Sequence, residues 1–272
     1  MNILENKMID ILTDLKENYH VLGVKAEFET EGTSFEEAKK LKEIITKTGL
    51  ELTIKIGGSE AIRDMFDAKD IGVNTLVEPM IETPYAMKKY INAIKSVFSE
   101  EERKNIKFLI NIETITGYNN LDNIINSKDF SELAGVVIGR GDMIGSMELT
   151  KKEVNSDKIF TIANSIADKM LRTNKELIIG GGVDVDSIPF FKKLLQNYLT
   201  QFETRKIIFD APKALTNPNI DKGIIKAIEF ELMWLKNKRE FYKIIWKKDT
   251  QRIKMLENLY KKFIEKTGEK YV

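Results

Sequence analysis

The chain has 272 residues, of which 42% are hydrophobic and 31% charged, with a formal net charge of +1. This composition is typical of a globular protein with one sizeable core, and the balanced charge gives no electrostatic footprint for a nucleic acid or an anionic membrane. The absence of cysteine excludes disulfides, thiolate metal sites and cysteine nucleophiles, and the single histidine, His20, excludes a histidine-rich zinc site.

Short apolar runs alternate with longer amphipathic stretches along most of the chain. The pattern predicts a helix at 3–18 and further helices that include 34–48, 59–71, 83–98 and 157–172. It predicts seven strands, at 21–28, 52–56, 75–80, 106–112, 135–138, 177–179 and 206–209. This alternation is typical of βαβ units, and the length fits a TIM-type (β/α)8 barrel. Seven clear strands mean either that one strand is too polar to recognise or that the barrel has a non-standard strand count.

The C-terminal region has a different pattern. Residues 223–267 are almost all helix formers, with apolar residues at helical spacing. We expect two or three helices there without an intervening strand. The chain therefore divides into a barrel catalytic domain at 1–220 and a C-terminal helical extension at 221–272, packed on the barrel or on a neighbouring subunit. The second arrangement favours a homo-oligomer.

Two carboxylates stand where predicted strands stop. Glu113 follows the apolar run 108–110, and Asp142 follows the run 136–138. Catalytic groups of α/β barrels lie at the C-terminal ends of different strands, so these side chains are expected to meet. Together they could bind a hard divalent cation through oxygen ligands. The alternative is that each residue caps the helix that follows it.

Other strand ends are charged as well. Lys25 and Glu27 share one face of a strand, Lys55 ends the next, and Arg205 opens the last. Buried lysine and glutamate need partners, so these groups predict a shared polar cavity, unless they form only structural ion pairs inside the barrel. A lysine at the position of Lys55 could also have a lowered pKa and form a Schiff base with a carbonyl substrate.

Glycines accompany the second carboxylate. Gly139 and Gly141 flank Arg140 and leave the backbone amides open to an anionic group. Arg140 and Asp142 are two residues apart and would share a face if the strand continued. The run 180–182 is three glycines at the end of the sixth predicted strand, where barrels often bind phosphate.

Three stretches carry a family resemblance. Residues 110–114 (Ile-Asn-Ile-Glu-Thr), 138–142 (Ile-Gly-Arg-Gly-Asp) and 78–83 (Glu-Pro-Met-Ile-Glu-Thr) are similar to the "iET", "G-x-x-D-L" and "P-M-[IV]-E-T" motifs of one family. In these motifs the chain resembles the HpcH/HpaI aldolase and citrate lyase β-subunit family, whose members are phosphoenolpyruvate/pyruvate-binding barrels. The resemblance runs from about residue 20 to residue 146.

The resemblance implies a metal-dependent enzyme. Family members bind Mg²⁺, Mn²⁺ or another divalent cation and act on 2-oxo acids or acyl-CoA esters, breaking or forming a carbon–carbon bond through a metal-stabilised enolate. By matching motif positions, Glu113 and Asp142 would be the metal ligands. The backbone amides near Gly139 and Gly141 would bind the substrate carboxylate.

The sequence departs from the family pattern at two points that affect the chemistry. Lys55 stands where members typically have an arginine, so Arg140 or Arg205 would have to supply a bidentate guanidinium. The aldolase branch uses a histidine near the first motif, and none is available here.

The leading hypothesis is a divalent-metal-dependent carbon–carbon lyase or aldolase of a 2-oxo acid or related acyl substrate. Lys55 and Arg140 would stabilise carboxylate and enolate charge, Glu27 would act as acid or base or orient Lys55, and Arg205 would contact substrate. Two alternatives are a Schiff-base aldolase that uses Lys55 and a catalytically silent barrel that acts as a binding scaffold. Because no segment has about 18 consecutive apolar residues and the first residues lack a signal-peptide core, we expect a cytoplasmic protein without a nucleic-acid or membrane partner.

Overall fold

The computed structural model describes residues 1–268. The chain forms two compact units, Met1–Glu231 and a second unit that begins at Leu232. The first unit contains a closed barrel, and the second belongs, as far as Thr267, to one long helix. The last four residues of the predicted extension, 269–272, lie outside the described residues.

Eight strands close the barrel in chain order, each hydrogen-bonded to its sequence neighbours, with β8 next to β1. They are β1 (Val21–Glu27), β2 (Glu51–Lys55), β3 (Thr75–Glu78), β4 (Lys107–Ile112), β5 (Gly135–Gly139), β6 (Glu176–Gly180), β7 (Gln201–Glu203) and β8 (Ile207–Asp210). The prediction of a TIM-type barrel followed by a helical extension is therefore confirmed. The strand that the sequence pattern did not reveal is β7, which has only three residues, two of them polar.

The last strand departs from the standard barrel. Strands β1 to β7 are parallel, whereas β8 pairs antiparallel with both β7 and β1. Only residues 204–206 connect β7 to β8. A parallel connection needs a crossover of a dozen or more residues, so a link of this length forces the chain to turn back. The turn consequently lies at the barrel mouth, and β8 leads away from it.

Twelve α-helices and three short 3₁₀ helices surround the barrel or follow it within residues 1–268. The α-helices are α1 (Ile3–Tyr19), α2 (Phe35–Thr46), α3 (Ile62–Ile71), α4 (Pro84–Val97), α5 (Glu100–Arg103), α6 (Ile115–Asn119), α7 (Leu121–Ile125), α8 (Arg140–Ser146), α9 (Asp157–Thr173), α10 (Ile188–Leu195), α11 (Ala211–Ala214) and α12 (Ile220–Thr267). The 3₁₀ helices are Lys128–Glu132, Lys151–Glu153 and Val185–Ser187.

Local sequence signals account for several helix ends. Ser34 and Glu37 form a reciprocal capping box that starts α2, as their spacing predicts. Gly72 ends α3 with a φ of 76°, a left-handed conformation that glycine adopts without strain. The start predicted at residue 59 is three residues early, because α3 begins at Ile62.

The two faces of the strands have different roles. Residues that point outward, such as Ile54, Ile110 and Ile138, are fully buried. In the middle of the barrel, the inner face carries an apolar layer made of Val77, Leu109, Val137 and Ile178. Closer to the carboxyl ends of the strands, the inner face becomes polar and charged. The strand period of two therefore separates the packing of helices against the barrel from the chemistry of its mouth.

The C-terminal region is one helix and not two or three. Helix α12 runs without a break from Ile220 to Thr267 and includes the boundary between the two compact units. No helix within residues 1–268 combines the length and the apolar character needed to cross a lipid bilayer.

Candidate active site at the barrel mouth

A cavity of about 550 Å³ opens where the parallel strands end. Its walls come from the ends of β1, β2, β4, β5, β6 and β7, from the β7–β8 turn, and from two positions of α12 within the first unit. The lining residues are Lys25, Glu27, Thr30, Lys55, Asn111, Glu113, Val137, Gly139, Gly141, Asp142, Lys151, Gly180, Gly181, Gly182, Val183, Glu203, Thr204, Arg205, Ile228 and Glu231. All the predicted site residues except Arg140 are therefore brought together here.

Glu113 is the most tightly held carboxylate of the cavity. It follows β4 directly and is only 2% exposed. Its Oε1 accepts a hydrogen bond from the backbone N–H of Met80 at 3.0 Å, and its Oε2 accepts one from the amide of Asn111 at 2.8 Å. Charge-assisted bonds of this kind fix the carboxylate in one orientation, as a ligand or catalytic group requires.

Lys55 bridges two carboxylates. Its Nζ lies 3.3 Å from Glu113 Oε1 and 3.0 Å from Glu29 Oε2, and the residue is 5% exposed. Burial on its own would lower the pKa of Lys55, but the charges of Glu113, Glu29 and Glu27 outweigh burial and raise the pKa above its ordinary value. The suggestion that Lys55 has a lowered pKa is therefore wrong, because three carboxylates favour its charged form.

Asp142, Gly139 and Gly181 form another part of the cavity wall. Asp142 is exposed in the first turn of α8. Gly139 lies against Glu113, where a Cβ on the glycine would come within 2.4 Å of Glu113 Oε2. Gly181 has a φ of 81°, and a Cβ there would lie 2.4 Å from the backbone nitrogen of Gly141. Side chains at these positions would displace the carboxylate or the backbone of the cavity wall.

A second group of charges occupies the β1 and β7 side of the mouth. Lys25 Nζ lies 2.5 Å from Glu203 Oε1 and 3.2 Å from Glu27 Oε1, and Arg205 reaches Glu27 at 3.5 Å and Glu31 at 3.2 Å. Burial opposes the charge on Lys25, but Glu203 and Glu27 outweigh it and raise the lysine pKa. Burial likewise favours a neutral Glu27, yet Lys25 and Arg205 outweigh it and lower the carboxyl pKa. Both partners are therefore ionised around neutral pH.

Arg140 is the predicted site residue that does not line the cavity. Its side chain is fully buried, with Nε donating to the carbonyl of Gly180 at 3.1 Å and Nη1 donating to Asn155 Oδ1 at 2.6 Å. The guanidinium lies over the rings of Phe190 and Phe191, 5.1 and 4.8 Å from their centroids. In this position it ties α8 to β6 and to α10 from behind the cavity wall.

Glu78 is a buried carboxyl that does not line the cavity, although it ends β3 next to it. It is 1% exposed, and its Oε2 has no hydrogen-bond partner within residues 1–268. Burial raises the pKa of Glu78 to about 8, with Glu29 adding to the effect, while Ser59 and Lys55 act in the opposite direction. Glu78 is therefore protonated over much of the neutral range, unlike Glu27.

Sequence reasoning did not assign a site role to several lining residues. The sequence analysis identifies Lys25 as a charged strand residue, but not Glu203, because β7 is too short to be recognised. The alternation of Gln201, Phe202 and Glu203 was the available signal. Lys151 and Glu231 lie on a 3₁₀ helix and on α12, and nothing in their local sequence indicates a cavity.

The donor set at the mouth fits a hard divalent cation. Glu113 and Asp142 supply carboxylate oxygens, and Asn111 Oδ1 is buried without a hydrogen-bond partner among the described residues. Residues 1–268 contain no cluster of three or more His, Cys, Asp and Glu side chains arranged for a metal. Mg²⁺ typically takes one or two carboxylates and completes its shell with water and substrate oxygens, whereas zinc prefers nitrogen and sulfur ligands.

One comparison with known proteins identifies a family. The sequence profile of the HpcH/HpaI aldolase/citrate lyase family matches residues 37–176, slightly more than half of the chain. A search of curated protein sequences finds no significant match.

Solved structures show the same fold at low sequence identity. An HpcH/HpaI aldolase from Desulfitobacterium hafniense DCB-2 is 12% identical, with a TM-score of 0.58 over 75% of this chain and 83% of that one. An HpcH/HpaI aldolase/citrate lyase family protein from Burkholderia cenocepacia J2315 is also 12% identical, with a TM-score of 0.60 over 74% and 83%. The citrate synthase SbnG is 15% identical, with a TM-score of 0.58 over 88% and 91%.

The fold and the cavity define an α/β-barrel enzyme with its charged groups at the strand ends. The chain belongs to the HpcH/HpaI aldolase/citrate lyase family. Members of this family are lyases that act on carbon–carbon bonds, and the chain is assigned to that class of enzyme.

Proposed function

We propose that the chain is a divalent-metal-dependent lyase or aldolase that acts on a small 2-oxo acid or a related acyl substrate through an enolate. The observation that carries this proposal is the convergence of Glu113, Asp142 and Lys55 on one cavity in a barrel of this family. Two carboxylates and a fixed ammonium would provide cation binding and charge stabilisation in the same space. Mg²⁺ or Mn²⁺ is the proposed cofactor.

Each proposed role follows from the position of the side chain. Glu113, Asp142 and the free amide oxygen of Asn111 would hold the cation. When bound, the cation supplies Lewis-acid polarisation of the substrate oxygens. The ammonium of Lys55 faces the same space and is kept charged by its carboxylate neighbours, so it stabilises negative charge that develops on the substrate.

The other side of the cavity is suited to the substrate carboxylate and to proton transfer. The exposed guanidinium edge of Arg205 and the backbone amides of Gly139 and Gly141 are the proposed carboxylate contacts. Glu27 is ionised and therefore suited to accept a proton, or to hold Lys25 and Arg205 in place. It is less suited to donate one.

Cation binding is the first test. Isothermal titration calorimetry with Mg²⁺ and Mn²⁺ should show binding to the wild-type protein and its loss in the Glu113→Gln, Asp142→Asn double variant. Glu132→Gln, which removes an exposed carboxylate on the barrel surface, is the matched control and should bind as the wild type does. Equal affinity in the wild type and the double variant would refute the proposed site.

Turnover is the second test. A screen of 2-oxo acids, hydroxy acids and acyl-CoA esters with Mg²⁺ or Mn²⁺ should identify a substrate whose turnover stops in EDTA and returns with added cation. A Schiff-base aldolase would instead keep its activity in EDTA, and borohydride with pyruvate would label Lys55. The raised pKa of Lys55 argues against that mechanism, because the attacking amine must be neutral.

The remaining parts of the proposal concern the scaffold alternative, the cellular location and the oligomeric state. A catalytically silent scaffold would not need the buried, fully hydrogen-bonded Glu113, and turnover that is lost in Glu113→Gln would rule it out. A cytoplasmic location and a homo-oligomeric state complete the proposal.

A further inference from the structure

The part of α12 that lies in the second unit carries an apolar stripe. Together with positions 239 and 249, its residues recur at alternating intervals of three and four, the spacing of the a and d positions of a heptad repeat. Their exposed fractions lie between 44% and 68%. The stripe consists of Leu232, Leu235, Tyr242, Trp246, Ile253, Leu256, Tyr260 and Phe263.

Two positions of the same heptad pattern are occupied by charged residues. In the same heptad register, Arg239 occupies an a position between Leu235 and Tyr242, and Asp249 occupies a d position between Trp246 and Ile253. Both residues are helical and exposed. Each would place an unpaired charge in the seam of a coiled coil unless an opposite charge faces it.

Between Leu232 and Leu256, the heptad pattern is symmetric about residue 244. In an antiparallel pair, an a position of one helix meets a d position of the other. When two copies are aligned on this centre, Arg239 of one copy meets Asp249 of the other, and the reverse contact forms as well. The same register pairs Tyr242 with Trp246, Leu235 with Ile253, and Leu232 with Leu256. Every charged position in this register therefore meets its opposite, and every apolar position meets an apolar one.

We propose that residues 232–256 form a two-stranded antiparallel coiled coil with the same segment of a second copy of this chain. The proposal commits to self-association, because the charge pattern is complementary to itself under a two-fold axis. The paired segment would be about 36 Å long, at 1.5 Å per residue. This interface goes beyond the proposed reaction and does not depend on it.

A parallel pair is the main competitor. It would place Arg239 against Arg239 and Asp249 against Asp249 within the seam, although it would also bring Arg252 near Glu257 on the rim. The antiparallel pair brings Lys238 near Arg252 on the rim. Rim charges in water contribute little, whereas like charges facing each other in the seam are costly, so the seam decides the orientation.

Disulfide trapping tests the register directly. The chain has no cysteine, so each introduced thiol is the only one present. Leu232→Cys and Leu256→Cys should each fail to link when expressed alone, and should form a mixed disulfide dimer as the main product when co-expressed and oxidised. Gln251→Cys, on the opposite side of the helix, is the matched control and should not link.

Each other outcome overturns the proposal. Self-linking of Leu232→Cys would show a parallel pair. No linking in the mixed sample, together with a chain that sediments as a monomer, would show that the stripe does not bind a second copy. Linking of Gln251→Cys at the same yield would show random collision.

Charge reversal tests the pairing of Arg239 with Asp249. Either Arg239→Asp or Asp249→Arg should reduce the yield of the mixed disulfide at least about tenfold. The double variant should restore it to within about threefold of the unreversed pair, because opposite charges again face each other. A double variant as poor as the single ones would overturn the proposed register.

Discussion

The mouth and the middle of the barrel are built by the same strands, yet they differ in almost every physical respect. Strand β4 places Leu109 in the apolar layer and Asn111, two residues later, in the charged cavity. The layer is held by packing of aliphatic side chains. The mouth is held by ion pairs such as those of Lys55 and Lys25, which keep charges buried and oriented. Packing and charge are thus separated by a single strand period, so each can be changed at its own residues.

The largest effect is expected from neutralising the mouth. Glu113→Gln should reduce kcat for the substrate found by screening about a thousandfold or more, because it removes a proposed cation ligand and a partner of Lys55. Gln has nearly the same shape and Lys55 keeps its ion pair with Glu29, so the urea midpoint should fall, but by less than loss of every partner of Lys55 would cause. A large loss of stability with unchanged activity per folded molecule would show that Glu113 serves the stability of the fold and not the reaction.

The complementary change removes packing from the layer. Leu109→Ala should lower the free energy of unfolding by about 3 kcal/mol, since the side chain is buried among three aliphatic neighbours. At a temperature where the variant is fully folded, its kcat should stay within a few-fold of the wild type. Urea denaturation and steady-state kinetics on the same preparation provide the comparison.

Glu78, next to the mouth, should make the free energy of unfolding depend on pH. Its carboxyl ionises near pH 4.5 when unfolded but at about pH 8 when folded. The unfolded state therefore binds fewer protons between these values, and this contribution to stability is complete below pH 4.5 and is lost as the pH rises towards 8. Relative to the wild type, Glu78→Gln should gain about 3.5 kcal/mol between pH 5 and pH 8, because each unit of pKa shift is worth about 1.4 kcal/mol.

Urea midpoints at several pH values measure this gain, and Glu132→Gln serves as the exposed-carboxylate control. All groups other than Glu78 titrate in both proteins, so their contributions cancel in the difference between the two stability curves. Parallel stability curves for the wild type and Glu78→Gln would show that the carboxyl is ionised throughout.

The smallest effect is expected from a charge-conserving change of Lys55. Lys55→Arg keeps the positive charge between Glu113 and Glu29, so kcat/KM should change by no more than about tenfold. Lys55→Met removes the charge and should cost far more. Complete inactivation by arginine but full metal binding would indicate that the amine itself reacts.

Much of the barrel could be predicted because its signals are periodic. Alternating apolar runs indicated six of the seven parallel strands, and charged residues at strand ends indicated Lys55, Glu27, Glu113 and Asp142. The polar strand β7 could not be predicted, since an alternation over only three residues is too short to distinguish a strand from a loop. The reversal of β8 depends on a three-residue link between β7 and β8, whose length is apparent only when β7 is known.

Two site predictions depended on where a strand ends and in which direction it runs. Arg205 was expected as the first residue of a strand, yet it reaches the mouth because β8 runs backwards and the turn lies at the rim. Arg140 was expected beside Asp142 from strand alternation. Strand β5 ends at Gly139, however, and α8 begins at Arg140, so the period changes between the two residues and their side chains diverge.

The reversed strand also has a consequence for folding. Val21 of β1 must pair with Phe209 of β8, near opposite ends of the barrel sequence, before the sheet can close. The β7–β8 hairpin is local and can form quickly, whereas this last pairing carries the entropy cost of a very long loop. Until the hairpin docks, the edges of β1 and β6 are open to other chains. Chains in which the hairpin has not yet docked are therefore expected to be the aggregation-prone species during folding.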